Sequence, residues 1–179
     1  MKVIFLDVDG VIRHDFYKGT EEDHGIDPEK LNLLKEIIDK TESKIVLSST
    51  WRRGINQTGK VYNKESYYIL EKVLKKHNIE IYSEIPRPIN TKDKPKNSIT
   101  LEELVKLETN DNDRARYIVE WLEENPKVGS FVILDDFGGW EKYNLEEFVV
   151  KTSQYNGGLQ KEHVEEAINM LNKPKVKKR

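Results

Sequence analysis

Asp7 and Asp9 stand two residues apart, directly after the apolar run Val3-Ile4-Phe5-Leu6. In an extended chain that spacing turns both carboxylates to one side. Asp135 and Asp136 follow a second apolar run, Phe131 to Leu134, and the hydroxyls of Ser48, Ser49 and Thr50 follow a third, Ile45-Val46-Leu47. Each run is short, continuous and apolar, as a strand buried on both faces must be. Parallel sheets bind ligands beyond the carboxyl ends of their strands, where the strand order reverses. If the three runs are neighbours, the carboxylates of Asp7, Asp9, Asp135 and Asp136 converge there. Clustered carboxylates repel and raise one another's pKa, and a hard cation relieves the repulsion. Oxygen donors without His or Cys nearby fit Mg²⁺ rather than zinc.

A carboxylate held rigidly against Mg²⁺ and a phosphorus atom can act as a nucleophile and form an aspartyl-phosphate; Asp7 has that position. Asp9 is placed to protonate the leaving oxygen and then to activate water. Gly10 lets the chain turn away after the acids. A hydroxyl at the second strand tip can donate to a phosphoryl oxygen, and a cation must meet the charge spread over those oxygens. Arg114 and Arg116 lie near the start of the helix before the Asp135 strand, where the positive helix end adds to their charge. Trp51 offers a stacking face and Arg52 a fork for phosphate. The competing reading packs Trp51 on the sheet and pairs Arg52 with a site acid. Trp140 reads as a cover over the core and His14 as a surface-loop residue. The four histidines show no metal-ligand spacing.

The elements that must position these groups follow from periodicity. Asp27-Pro28 opens a helix carrying Leu31, Leu34, Ile37 and Ile38, with an N-cap acceptor and Pro at its first position. Tyr67, Leu70, Val73 and Leu74 mark a helix over 64–77, and Ile79 to Tyr82 a strand. Residues 113–124 form a helix stopped by Asn125-Pro126, 148–150 a strand and 161–172 an amphipathic helix. Residues 51–63 look irregular and 86–99 an exposed loop. Thr100 and Glu103 suggest a capping box for a short helix over 100–108. Strands alternating with helices give an α/β fold with a largely parallel sheet. The expected organisation is a single domain over 1–172 and a basic tail over 173–179, with the 13–26 loop and the 86–112 insertion as small lids.

Composition narrows the class. Lysine plus arginine number 30 and aspartate plus glutamate 32 in 179 residues, a net charge of −2, so bulk charge cannot be what holds a nucleic acid. The chain has no cysteine, which excludes disulfides, thiolate nucleophiles and Cys-based metal sites. No apolar stretch approaches the roughly 20 residues that span a bilayer, and the N-terminus lacks a secretory pattern. The expectation is a soluble, cytoplasmic protein without membrane partners.

Asp7-Val8-Asp9-Gly10-Val11, Ser48-Ser49 after their strand, a basic residue before the last core strand, and Ile133-Leu134-Asp135-Asp136 together resemble the four motifs of the haloacid dehalogenase (HAD) superfamily of phosphotransferases. Leu47-Ser48-Ser49-Thr50-Trp51-Arg52, Trp121-Leu122, Thr152 through Gly157-Gly158-Leu159, Glu162-His163 and Ala167 are further similar to the phosphatase-like domain associated with "Swiss Army knife" RNA-repair proteins. The resemblance implies a Rossmann-like fold with the Asp7 strand central and a minimal cap. It implies Asp7 as nucleophile, Asp9 as acid/base, Ser49 as the motif hydroxyl with Ser48 and Thr50 as alternatives, and Arg114 in place of the usual lysine. It gives Mg²⁺ to Asp7 and the acidic pair, with Asp136 direct, Asp135 assisting and the Val8 carbonyl helping. The second aspartate points to a phosphatase. The expected activity is Mg²⁺-dependent phosphomonoester hydrolysis, preferentially at a polynucleotide 3′-phosphate end. A phosphatase for small metabolites or nucleotides and a non-catalytic phosphate-binding module are the rivals.

Overall fold

The computed structural model describes residues 1–55, 60–86 and 114–173. Five parallel strands form the sheet: β1 (Lys2–Leu6), β2 (Lys44–Leu47), β5 (Ile81–Glu84), β6 (Ser130–Asp135) and β7 (Val149–Lys151), in the order β5-β2-β1-β6-β7. The chain runs outward from β1 through β2 to β5, then crosses back to β6 on the other side of β1. The switch point of the sheet is therefore at β1, and the crevice there lies at the tip carrying Asp7. Strands β3 (Gly54–Ile55) and β4 (Val61–Tyr62) pair antiparallel as a separate ribbon inside the segment expected to be irregular.

Alternation along the strands sorts the core into two layers. Ile4, Leu6, Ile45, Leu47, Val132 and Leu134 face α1 (Pro28–Thr41), α2 (Glu65–Lys76) and α4 (Lys161–Asn172). Val3, Phe5, Val46, Phe131 and Ile133 face α3 (Arg114–Glu124), whose Ala115, Ile118 and Trp121 pack on them. The Phe5 ring meets Trp121 edge-on, centroids 5.4 Å apart. Trp140 is buried in this second layer, covering the core as expected. Helix limits follow the periodicity closely, whereas β5 lies two residues later than its apolar pattern placed it. The expected 100–108 helix, and all but the first residue of the 86–112 insertion and of the 173–179 tail, lie outside the described residues. Among the described residues no helix is long and apolar enough to cross a membrane.

One contact ties the loop after β1 to the helix that follows it. Asp27 caps α1, its Oδ1 accepting from the Glu29 N–H at 2.8 Å. Its other oxygen lies 2.9 Å from His14 Nε2, both side chains being buried. The Phe16 N–H donates to His14 Nδ1, so the ring proton sits on Nε2 and goes to Asp27. His14 is thus an interior anchor, not the surface residue expected. Replacing Asp27 by alanine removes a cap, roughly 1 kcal/mol, and leaves the buried His14 donor unpaired, a further cost of about 1–3 kcal/mol. We expect Asp27→Ala to lose about 2 kcal/mol or more in urea denaturation and Asp27→Asn far less; equal midpoints for Asp27→Ala and wild type would refute the anchor.

Candidate active site

The register of β1 pairs Leu6 with Leu47 of β2 and with Leu134 of β6. One step on, Asp7 lies level with Ser48 and Asp135, and all three continue the layer that faces α3. That helix begins at Arg114, whose guanidinium reaches the strand tips. Its Nη1 lies 2.6 Å from Asp7 Oδ2 and also pairs with Asp135 Oδ2. The Asp135 side chain is fully buried and that of Asp7 nearly so, with 6% exposed. Burial pushes the Asp135 carboxyl up to about 6; Arg114 pulls it back and the Asp7 charge adds to the rise. Burial also works against the charge of Arg114, but attraction by Asp135 and Asp7 outweighs it and its pKa rises. Arg116 points elsewhere and pairs with Glu120 at 3.4 Å. The basic group of this site is therefore Arg114.

Carboxylate oxygens of Asp7, Asp135 and Asp136 all lie within 4.8 Å of one another. Three carboxylates against one guanidinium leave two negative charges, which a divalent cation would balance. The donors are hard oxygens, as Mg²⁺ requires. Asp136 is only partly buried, and its carboxyl is raised first by burial and then by Asp7. Asp135 is already committed, through Oδ1 to the Phe137 N–H and through Oδ2 to Arg114. This division suits Asp136 as the direct ligand and Asp135 as its support.

Two expected ligands are turned to other work. The Val8 carbonyl accepts from the N–H groups of Val11, Ile12 and Arg13 at 3.0–3.2 Å, closing the turn after β1. Asp9 does not join the acid cluster. Its Oδ1 pairs with Arg13 at 2.7 Å and its Oδ2 accepts the Trp51 indole N–H at 2.9 Å, leaving 39% of its side chain exposed. Asp9 is thus held at the rim, suited to meet a leaving group rather than a cation. Trp51 packs against the first core layer and points its N–H at Asp9. Trp51 thus combines packing on the sheet with a hydrogen bond to Asp9 that local sequence does not signal.

The other predicted contacts divide in the same way. The Ser48 Oγ is buried, on the face of Asp7, with no hydrogen-bond partner among the described residues. The Ser49 Oγ accepts from the Trp51 N–H at 3.3 Å and shapes the turn. The register therefore favours Ser48 over Ser49 as the site hydroxyl. Thr50 is exposed at the tip. Arg52 is buried and its Nη1 donates to the carbonyls of Pro86, at 3.0 Å, and Ile85. It clamps the end of β5 rather than offering a free fork.

Sequence reasoning overlooked Arg13, although its i+4 spacing from Asp9 is an ordinary ion-pair signal. It singled out Gly157, Gly158 and Leu159 only through a resemblance. The Leu159 N–H donates to the Val11 carbonyl at 2.8 Å, and a Cβ on Gly158 would lie 2.4 Å from that oxygen. These glycines let the β7 segment lie against the β1 turn.

Fold and acid cluster together are those of a HAD-type hydrolase or phosphatase domain. The chain belongs to the family described as the HAD domain in Swiss Army Knife RNA repair proteins, whose model matches residues 3–164. A search of curated proteins and a search of solved structures returned no match.

Gly10 is where the site is least tolerant. Its φ is +77°, and a Cβ there would lie 2.1 Å from Asp136 Cγ. Gly10→Ala must both strain the turn and displace Asp136. We expect a stability loss of more than about 1 kcal/mol and a weakened cation-dependent rise in the unfolding temperature; a variant that keeps the full rise would show that Asp136 does not depend on the glycine.

Proposed function

We propose that the protein is a Mg²⁺-dependent phosphomonoesterase that works through an aspartyl-phosphate on Asp7. The observation that carries this reading is the buried Asp7–Arg114–Asp135 contact, level with an unpaired hydroxyl and flanked by Asp136. Asp7, Asp136 and, in support, Asp135 would hold the cation, which when bound neutralises phosphoryl charge and lets an anionic nucleophile approach.

An Asp7 carboxylate oxygen attacks phosphorus, forming the acyl-phosphate bond as the bond to the leaving oxygen breaks. Protonated Asp9 gives its proton to that oxygen, and the alcohol leaves. Asp9, now a carboxylate, takes a proton from water, whose oxygen attacks the same phosphorus. Inorganic phosphate departs and Asp7 is restored. Arg114 and the Ser48 hydroxyl point positive ends at the phosphoryl oxygens, where charge is greatest in transit. Arg13 and Trp51 hold the Asp9 carboxylate in its orientation. The family's place in RNA repair supports a phosphorylated polynucleotide end as the substrate, and we propose a 3′-phosphate as its terminal group.

The test is phosphate release from p-nitrophenyl phosphate and from a 3′-phosphorylated oligonucleotide. We expect release only with Mg²⁺, its loss in EDTA, and none from Asp7→Asn. Asp9→Asn should fall about 10²–10⁴-fold. Mg²⁺ should also stabilise the folded protein, by about 2.7 kcal/mol at a hundred times its Kd, and Asp136→Asn should lose most of that gain. Turnover that survives in Asp7→Asn would sink the covalent mechanism.

A further inference from the structure

Asp9 opens onto a cavity of about 330 Å³ whose lining does not include Asp7, Asp135 or Asp136. Its size falls at the small end of ligand pockets, which run from about 300 to 1,000 Å³. The walls are polar: Arg13, Tyr17, Lys18 and Thr20 from the loop after β1, and Gln154 from beyond β7. On the mechanism proposed above, the leaving oxygen must lie at the Asp9 carboxyl. Whatever the leaving group is attached to must then extend into the space beside Asp9, and this cavity is that space.

The loop that walls it is built rather than loose. Its ends meet, the Asp27 N–H donating to the Ile12 carbonyl at 2.8 Å and Arg13 bridging to Ile26. Inside, the Asp23 carboxylate accepts from the Tyr17 hydroxyl, the Thr20 N–H and hydroxyl, and the Gly25 N–H, at 2.8–2.9 Å. Such a compact closed loop keeps its shape without a ligand, and a preformed wall lowers the ordering cost of binding. His14 beneath it is fixed by Asp27, as described.

Charge then decides the ligand. The two acids of the cavity are satisfied: Asp9 by Arg13 and Trp51, and Asp15 by the Gln154 amide at 2.8 Å. Lys18 is exposed on the wall, and among the described residues no acid pairs with it. The formal charges of Arg13, Lys18, Asp9 and Asp15 cancel across the lining, but Arg13 is spent on Asp9, so Lys18 is the lining's cation without an ion-pair partner among the described residues, beside polar donors. We propose that it is a leaving-group subsite for the sugar–phosphate chain preceding the terminal phosphate, with Lys18 meeting the adjacent phosphodiester. The inference rests on the phosphatase reading and gives it a substrate class: a polynucleotide end in preference to a mononucleotide.

The test compares a nucleoside 3′-monophosphate with a trinucleotide ending in 3′-phosphate, as substrates of wild type, Lys18→Ala and Lys127→Ala over a range of salt. Lys127 is exposed in the β6 approach, near the amino terminus, and controls for loss of general charge. In wild type the trinucleotide should have the lower KM. Lys18→Ala should erase most of that advantage and lower the trinucleotide's log KM against log salt slope by about 0.7, the value of one single-strand phosphate contact. Lys127→Ala should leave both as in wild type. Binding of a fluorescent trinucleotide 3′-phosphate to Asp7→Asn, followed by anisotropy, reads the same contact without turnover and should weaken when Lys18→Ala is added. If wild type hydrolyses neither substrate, the phosphatase reading fails, and anisotropy still judges the subsite. If both are hydrolysed but Lys18→Ala shifts them equally or not at all, the subsite is overturned and the phosphatase reading stands.

Discussion

Two carboxylates that share one guanidinium inside a nearly dry pocket set the terms for everything around them. Asp7 and Asp135 sit on adjacent strands with Arg114 between them. Taking such charges out of water costs several kcal/mol per ion; at Asp135 burial outweighs the pull of Arg114 and its carboxyl is raised, whereas at Arg114 the attraction of the two carboxylates outweighs burial. Hydrophobic residues of similar volume would pack there as well or better. Residues that serve stability alone have no reason to be there, and the adjacent Asp136 makes the electrostatics worse still. The arrangement is one that a divalent cation and a phosphoryl group would complete.

The turn after β1 makes this crowding sterically feasible. The Val8 carbonyl gathers three N–H donors, so the chain reverses within a few residues of Asp7. Gly10 presents no side chain where Asp136 lies. Gly158 and Leu159 then lie against the same turn from the β7 side. Distant parts of the sequence thus converge on five residues, and their glycines reflect contact with that turn rather than flexibility.

Much of this was legible in the sequence. The buried strands announced themselves as apolar runs ending in acids or hydroxyls, whereas the central place of the Asp7 strand came from the family resemblance and not from the pattern. Asp7, Asp135 and Asp136 were identifiable because strand tips fix position within a residue or two, whereas the helix start offered both Arg114 and Arg116, which only the structure separates. What could not be read was direction. Whether Ser48 or Ser49 faces Asp7 depends on strand register, since a single residue changes the face. Where Arg52 and Trp51 point depends on tertiary partners, the carbonyls at the end of β5 and the Asp9 carboxylate. The 13–26 segment carried no periodicity because its order comes from one carboxylate, Asp23, collecting local donors. The short β3–β4 ribbon likewise lacks the length to leave a pattern.

The two aspartates of the first motif illustrate how environment divides labour between identical side chains. Asp7 is buried, fixed by the Val8 N–H at 2.7 Å and by Arg114, and shares its space with two other carboxylates. Its charge is held in one geometry, which a nucleophile requires. Asp9 sits two residues later at the solvent rim, with Arg13 and Trp51 as partners and a polar cavity beside it. It is open to water and still aimed, as the acid/base role proposed for it would require. The separation follows from the backbone: β1 ends at Leu6, and the chain is already turning when it reaches Asp9. A regular strand continued by two residues would have carried both carboxylates to the same face, and so into the same charge cluster, leaving no acid at the rim.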